Sequence, residues 1–577
     1  MPQDGQIQGD GKLSRLQEVE PEQQSSTGWR GLVTSQAKTL IAFFITLGIL
    51  VYHILQPAYP VQLLPQRLNV TFARPANLHV LVPALDQDVN LCRLMLAAGA
   101  LGYPSPVLLN LTRFAGQDGD LPKVKGVLEY LKSLDSTAGD DVVVVLDGAD
   151  SWLQLRAQTL VDRFFAINQQ ADARISADLG LAARTYKIRQ GIVFGAQKYC
   201  TPWSENDPPC YAVPESPLPR DIYGAKTDQL SEGDKNPRLN YRQRFLDSGV
   251  VMGNVRSMRG LYGEALRLRE EQPNLGDQQA VFSSLFGRQE VWREVVRQDS
   301  LNRTTTAKSL KVPWKSAKPR IQFDPQHLAD VRAKAASSEG EKLEFGIGVD
   351  YGSEIVFNTA FAEDDATWVT FNNRTKLQQV EKSHNARISK SRLRRLGDDI
   401  ANSLPPFWTF TTEDLPRSMA WQDVQLFTNI FTGTTPAIIH YQPGGDKRYV
   451  QLRSNWPLMW FQKHIRILFD AFIYAPITPV AVGGYDEDTQ RQYWPYHLNK
   501  GGMYDGARVG GKGGDWITFE SICSVDHKEL FRDNFGKWKL PANHCRTYLH
   551  VVVCTCLYSL PSYLYATTIV QRSTCTR

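Results

Sequence analysis

Residues 142–152 read VVVVLDGADSW. Four valines and a leucine in a row put apolar side chains on both faces of an extended chain, and only a strand covered on both sides buries them all. Such strands belong to parallel sheets, whose neighbours are joined by helical crossovers. The sequence upstream supplies them. LHVLVPAL (78–85) reads as a buried strand, NLCRLMLAAGALGY (90–103) as an amphipathic helix, SPVLLNL (105–111) as a strand and LPKVKGVLEYLKSL (121–134) as a second helix. The order from Asn77 onward predicts an α/β nucleotide-binding half with a Rossmann-type sheet.

Downstream, GIVFGAQKYC (191–200) and RFLDSGVVMGNV (244–255) continue the strands, and a helix is predicted near Gly276 to Phe286. Two basic insertions follow, Arg303 to Lys342 and Lys382 to Arg395, which read as solvated faces or loops. The region 456–538 is aromatic and Gly-rich and has no assignable fold. A chain of 577 residues, 42% hydrophobic and 22% charged, excludes disorder, collagen and coiled coil. Its 65 Lys+Arg against 60 Asp+Glu leave a net charge of only +5, so no global field recruits nucleic acid.

Thr39 to Leu55 (TLIAFFITLGILVYHIL) is uncharged and nearly all apolar, and reads as one membrane-spanning helix. Polar residues 1–38 precede it and no small-residue cleavage site follows, so the prediction is an uncleaved signal anchor. Arg30 and Lys38 on one flank balance Arg67 and Arg74 on the other. Orientation therefore comes from the glycosylation triplets at Asn69, Asn110, Asn302 and Asn373, all after the span, which place the bulk of the chain in the lumen of the Golgi or endoplasmic reticulum. The predicted divisions are a disordered cytoplasmic tail (1–38), the anchor (39–55), a stem (56–76), the α/β domain (77–455), the extension (456–538) and an atypical tail (539–577). That tail crowds four cysteines into its length and reads as translated intron. Cys200 and Cys210 flank a Pro-rich loop, a spacing suited to a local disulfide in an oxidising lumen.

Two motifs carry candidate chemistry. Asp147 and Asp150 follow the valine strand, where open α/β sheets bind ligands, and two carboxylates there can hold a hard divalent cation. Equally, either could cap the next helix. Far away, PAIIHYQPGGDKRY (436–449) offers His440 as a third ligand, Gly444 for close approach to a diphosphate and Lys447 as compensating charge. A third candidate, Gly506 to Gly513, has P-loop glycines and Lys512, but Gly513 stands where the magnesium-binding hydroxyl belongs.

Together with RFLDSGVVMGNV and GDQQAVF, these motifs resemble the glycosyltransferase domain of the collagen lysyl hydroxylases and, more loosely, the procollagen galactosyltransferases. The resemblance spans about Asn77 to Lys447. It implies a GT-A-like mixed sheet with helices on both faces, a UDP-sugar donor and Mn2+ or another divalent cation. It implies Asp147, Asp150 and His440 as metal ligands, Lys123 with Gly444 and Lys447 at the nucleotide, and Asp277 as the candidate catalytic carboxylate. The family's Leu-Asn-Ser-Gly is here Leu246-Asp247-Ser248-Gly249, its acidic run is reduced to Gly276-Asp277-Gln278, and Gly126 stands where it has tryptophan. No histidine begins a His-x-Asp iron motif, so no lysyl hydroxylase module is expected. The resemblance implies hexosyl transfer, of glucose or galactose, to a luminal glycan or protein acceptor, and because fungal membrane-anchored proteins of this type look similar, collagen is not the expected acceptor. The alternative is a catalytically inactive glycosyltransferase-like scaffold of the secretory pathway.

Overall fold

The computed structural model describes residues 73–84, 88–110, 121–146, 150–306, 333, 343–384, 392–409, 412–442, 447–473, 475, 477–496, 506–510, 514–523, 527–533, 535–536 and 538. The span predicted at 39–55, the tail at 539–577, and Asn69, Asp147 and Gly444 lie outside them. Among the described residues no helix is long and apolar enough to cross a membrane.

The valine run forms β3 (Val142–Leu146), buried at every residue. It pairs in parallel with β1 (Ala76–Ala84), Leu78 opposite Val142, and β1 pairs in parallel with β2 (Val107–Asn110). The crossovers are α1 (Val89–Ala100) and α2 (Leu121–Ser133). Asp88 starts α1 by accepting the Leu91 N–H at 2.7 Å, satisfying a donor that every helix start leaves over. Because pleated side chains alternate, β1 and β3 feed two cores. Leu78, Val80, Val142 and Val144 enter one, with Leu94 of α1 and Phe164 of α3 (Ala157–Leu179). Leu81, Val143 and Val145 enter the other, with Leu128 of α2, Met258 of α4 (Val255–Glu271) and Phe282 of α5 (Gln278–Thr306). Each such side chain contributes about 1.5–3 kcal/mol, so a charge at Val143 or Val144 would open one core outright.

Beyond β3 the sheet continues through β6 (Phe245–Asn254), β5 (Ile192–Gln197) and β7 (Ile347–Val349). β6 runs antiparallel to both β3 and β5, while β5 and β7 are parallel. The result is a mixed α/β fold with a largely parallel central sheet and helices on both faces, consistent with the predicted Rossmann-type class. α5 runs on to Thr306, well past the helix predicted to Phe286, and contains Asn302. Asn110 closes β2, and Asn373 caps the helix Arg374–Ser383 by accepting the Lys376 N–H at 3.1 Å.

Smaller sheets pack beside the main one. β4 (Ser151–Leu153), β8 (Val356–Asn358) and β11 (Ile438–His440) form one, and β9 (Ala366–Val369) with β10 (Leu426–Asn429) the other. α6 (Lys447–Asn455) follows β11.

Within residues 456–538, which the sequence left without an assignable fold, four strands join the main sheet. β12 (Ala481–Gly483) pairs with β13 (Arg491–Pro495), and β13 pairs in parallel with the start of β1, Ala76 opposite Tyr493. β14 (Gly506–Val509) extends the sheet past β2, and β15 (Trp516–Thr518) closes that edge. Gly506 belongs to this pairing: a Cβ there would lie 2.0 Å from the Ile517 carbonyl oxygen, so the first glycine of the P-loop candidate serves strand contact. A disulfide joins Cys92 of α1 to Cys523 of α7 (Phe519–Cys523).

Candidate functional site

Strands β1, β2, β3, β5 and β7 all run the same way, and antiparallel β6 begins where they end, with Leu146 opposite Val250 and Gly195 opposite Asp247. Asp150, the Leu246–Gly249 motif and the first turn of α2, which carries half-buried Lys123, therefore arrive at the carboxyl edge of the sheet. This is the edge where open α/β sheets take their ligands.

The second motif reaches the same edge through the small sheet. β11 pairs antiparallel with β4, placing His440 opposite Ser151, and the Tyr441 N–H donates to the Asp150 carbonyl oxygen at 2.8 Å. Asp150 and His440 thus end adjacent strands although they are remote in the chain. Arg448, in the first turn of α6, donates from its guanidinium to Asp150 Oδ2 at 3.1 Å.

His440 is buried, and its Nδ1 lies 3.2 Å from Oδ2 of equally buried Asp247. The imidazole rests directly on Gly249, where a Cβ would fall 1.9 Å from Cε1. That is why the Leu-Asp-Ser-Gly motif ends in glycine. The Ser248 N–H donates to Gln279 Oε1 at 2.8 Å, and Gln279 Nε2 donates back to the Leu246 carbonyl at 2.7 Å, so the GDQQ segment clamps this motif. Asp277 is exposed and accepts the Ala280 N–H at 3.0 Å, acting as the cap of α5. Lys447 opens α6.

Cys200 and Cys210 form the predicted disulfide. In the FGAQKYC segment, Lys198 is fully buried, its Nζ 2.6 Å from Asp365 Oδ2, with the Tyr223 hydroxyl donating to the same oxygen at 2.6 Å. Removing either charge would leave the other unpaired in the interior, which costs about 3–5 kcal/mol, so this pair locks the start of β9 to the end of β5. Past β7, buried Asp350 accepts the N–H groups of Glu354, Ile355 and Val356. Burial, with the Glu354 carboxylate adding to it, pushes its carboxyl up to about 7. Asp350, Arg448 and the contact of Asp247 with His440 were missed from the sequence. Only the acidic replacement at Asp247 could have signalled the last.

Among the described residues no group of three His, Cys, Asp or Glu side chains is arranged as a metal cage. The donors present still fit a divalent cation of the Mn2+ type: carboxylate oxygen and imidazole nitrogen on adjacent strand ends, with a carboxylate behind the imidazole. No protein-family model matches this sequence, and no curated protein matches it.

Proposed function

We propose that this protein is a divalent-metal-dependent glycosyltransferase that moves a hexose from a UDP-sugar to a luminal acceptor. The observation that carries the reading is the pairing of β4 with β11, which sets the backbone of Asp150 beside that of His440 and Tyr441 near the carboxyl edge of the main sheet. A GT-A-like site needs these two residues near one another. Asp147, Asp150 and His440 would hold the ion, and Asp247 orients the imidazole through Nδ1. When bound, the ion supplies Lewis-acid neutralisation of the diphosphate leaving group. Lys123 and Lys447 compensate phosphate charge, and Gly444 permits close backbone approach. An acceptor hydroxyl takes the hexosyl group as UDP departs, and its proton leaves to a base, for which Asp277 is the candidate. Membrane anchorage through residues 39–55 with the body in the Golgi or endoplasmic reticulum lumen is part of the proposal, and the disulfides Cys92–Cys523 and Cys200–Cys210 support an oxidising compartment.

The second reading, a catalytically silent binding protein, is favoured by one observation: the Arg448 guanidinium already sits on the Asp150 carboxylate. Incubating the full-length protein with a panel of UDP-sugars, Mn2+ and hydroxyl acceptors separates the two by mass spectrometry. The transferase reading expects a hexosylated product or released hexose with UDP. Binding of UDP with no turnover of any donor would favour the silent protein.

A further inference from the structure

Phe361 combines two features that cost stability. Its backbone φ is 57°, in the left-handed region where a bulky side chain is strained, and 43% of its surface is exposed. Strain of this kind costs about 1–3 kcal/mol and persists where surrounding structure holds it. Here that structure is explicit. The ring lies on Tyr199, centroids 4.1 Å apart at 32°. Asn236 Nδ2 donates to the Phe361 carbonyl at 2.7 Å, and the Tyr199 hydroxyl donates to Asn236 Oδ1 at 3.1 Å. Arg238 stands over the Tyr199 ring at 5.0 Å and pairs with exposed Glu205 at 2.9 Å.

Both rings belong to the carboxyl edge. Tyr199 lies two residues past β5, beside the Cys200–Cys210 disulfide. Phe361 lies three residues past β8, whose last residue Asn358 is opposite His440, and the Thr359 N–H donates to the His440 carbonyl at 3.0 Å. Residues 359–362 form a turn, the Ala362 N–H donating to the Thr359 carbonyl at 3.1 Å, so Phe361 follows the strand end that carries His440 within two residues, a Cα separation of at most about 7 Å from Thr359.

We propose that the exposed ring of Phe361, backed by Tyr199, forms an acceptor subsite that takes the face of a pyranose ring, so that the acceptor is a glycan. An aromatic face carries negative π density, and the axial C–H groups of a pyranose present a complementary, weakly positive apolar face. The hydroxyls around the ring edge need planar, charged or amide partners, which Asn236, Arg238 and Glu205 supply at the platform rim. The meaning of the location rests on the glycosyltransferase reading, whereas binding of the sugar does not.

The test is saturation-transfer NMR on the full-length protein in detergent, with methyl glycosides of glucose, galactose and mannose as probes, each with and without UDP and Mn2+. At least one glycoside should receive saturation on its ring C–H protons. Phe361→Ala should weaken that glycoside about tenfold, as loss of a stacked ring predicts, Phe361→Tyr should restore it, and UDP affinity should not move in either. Absence of signal from all three glycosides, or equal signal in Phe361→Ala, overturns the subsite. A fall in UDP affinity with unchanged sugar signal also overturns it, by assigning the platform to the uracil ring. Sugar binding that is lost in Phe361→Ala in a protein that binds no UDP keeps the subsite and removes the transferase reading instead.

Discussion

At the scale of single residues, the site is built on contacts that leave no room for change. The Gly249 Cα carries the His440 ring, and a methyl group there would stand 1.9 Å from Cε1. The ring cannot retreat, because His440 and Asp247 are both almost fully buried. Gly249→Ala should therefore lower stability by about 1–3 kcal/mol, as overpacking does, and abolish Mn2+-dependent UDP binding; an unchanged melting temperature with unchanged binding would contradict this packing. Asp350 supplies a pH signature. Its carboxyl is raised from 3.8 to about 7 in the folded protein, so the folded state holds a proton that the unfolded chain has lost. Its contribution to stability is therefore present at low pH and falls as pH rises from about 4 to about 7. Asp350→Ala should remove that component of the slope in denaturant unfolding measured across this window, and an identical slope in the variant would refute the assignment.

At the scale of elements, β1 to β3 were legible because each is a run of apolar residues that only a doubly covered strand can bury, and the helices between them repeat at helical spacing. The same logic failed after Trp456. Strands β12 to β15 are only three to five residues long, and their identity comes from pairing with β1, β2 and one another, which no local pattern records. Cys92 and Cys523 were visible as cysteines, but which partner each takes depends on α7 packing near α1. The site divides in the same way. Asp150 and His440 were legible as types of ligand at strand ends, whereas Arg448 on Asp150 and Phe361 on Tyr199 depend on loop paths without a repeating pattern. The Cys92–Cys523 bond closes a sequence separation of 431, so Cys92→Ser, Cys523→Ser and the double variant should each lose about 2–5 kcal/mol. The three should be nearly equal, because either change removes the same bond. Calorimetry with and without reductant reads this, and a double variant much weaker than either single one would show that the thiols act separately.

At the scale of the whole molecule, the described residues bring sequence-remote motifs to the carboxyl edge of the main sheet and the small sheet beside it, and four strands within 456–538 belong to the main sheet. On the proposed function, the nucleotide-sugar would lie between the Asp150 and His440 strand ends and the start of α2. Isothermal titration of UDP in the presence of Mn2+ against the wild type, Asp150→Asn, His440→Ala and the double variant tests directly whether the two residues serve one ion. Each single change should weaken UDP at least about a hundredfold while circular dichroism stays native, and the double variant should be scarcely worse than either, since one lost ligand already dismantles a shared coordination shell. UDP affinity unaltered in either single variant, or losses that add in the double one, would contradict a shared metal site.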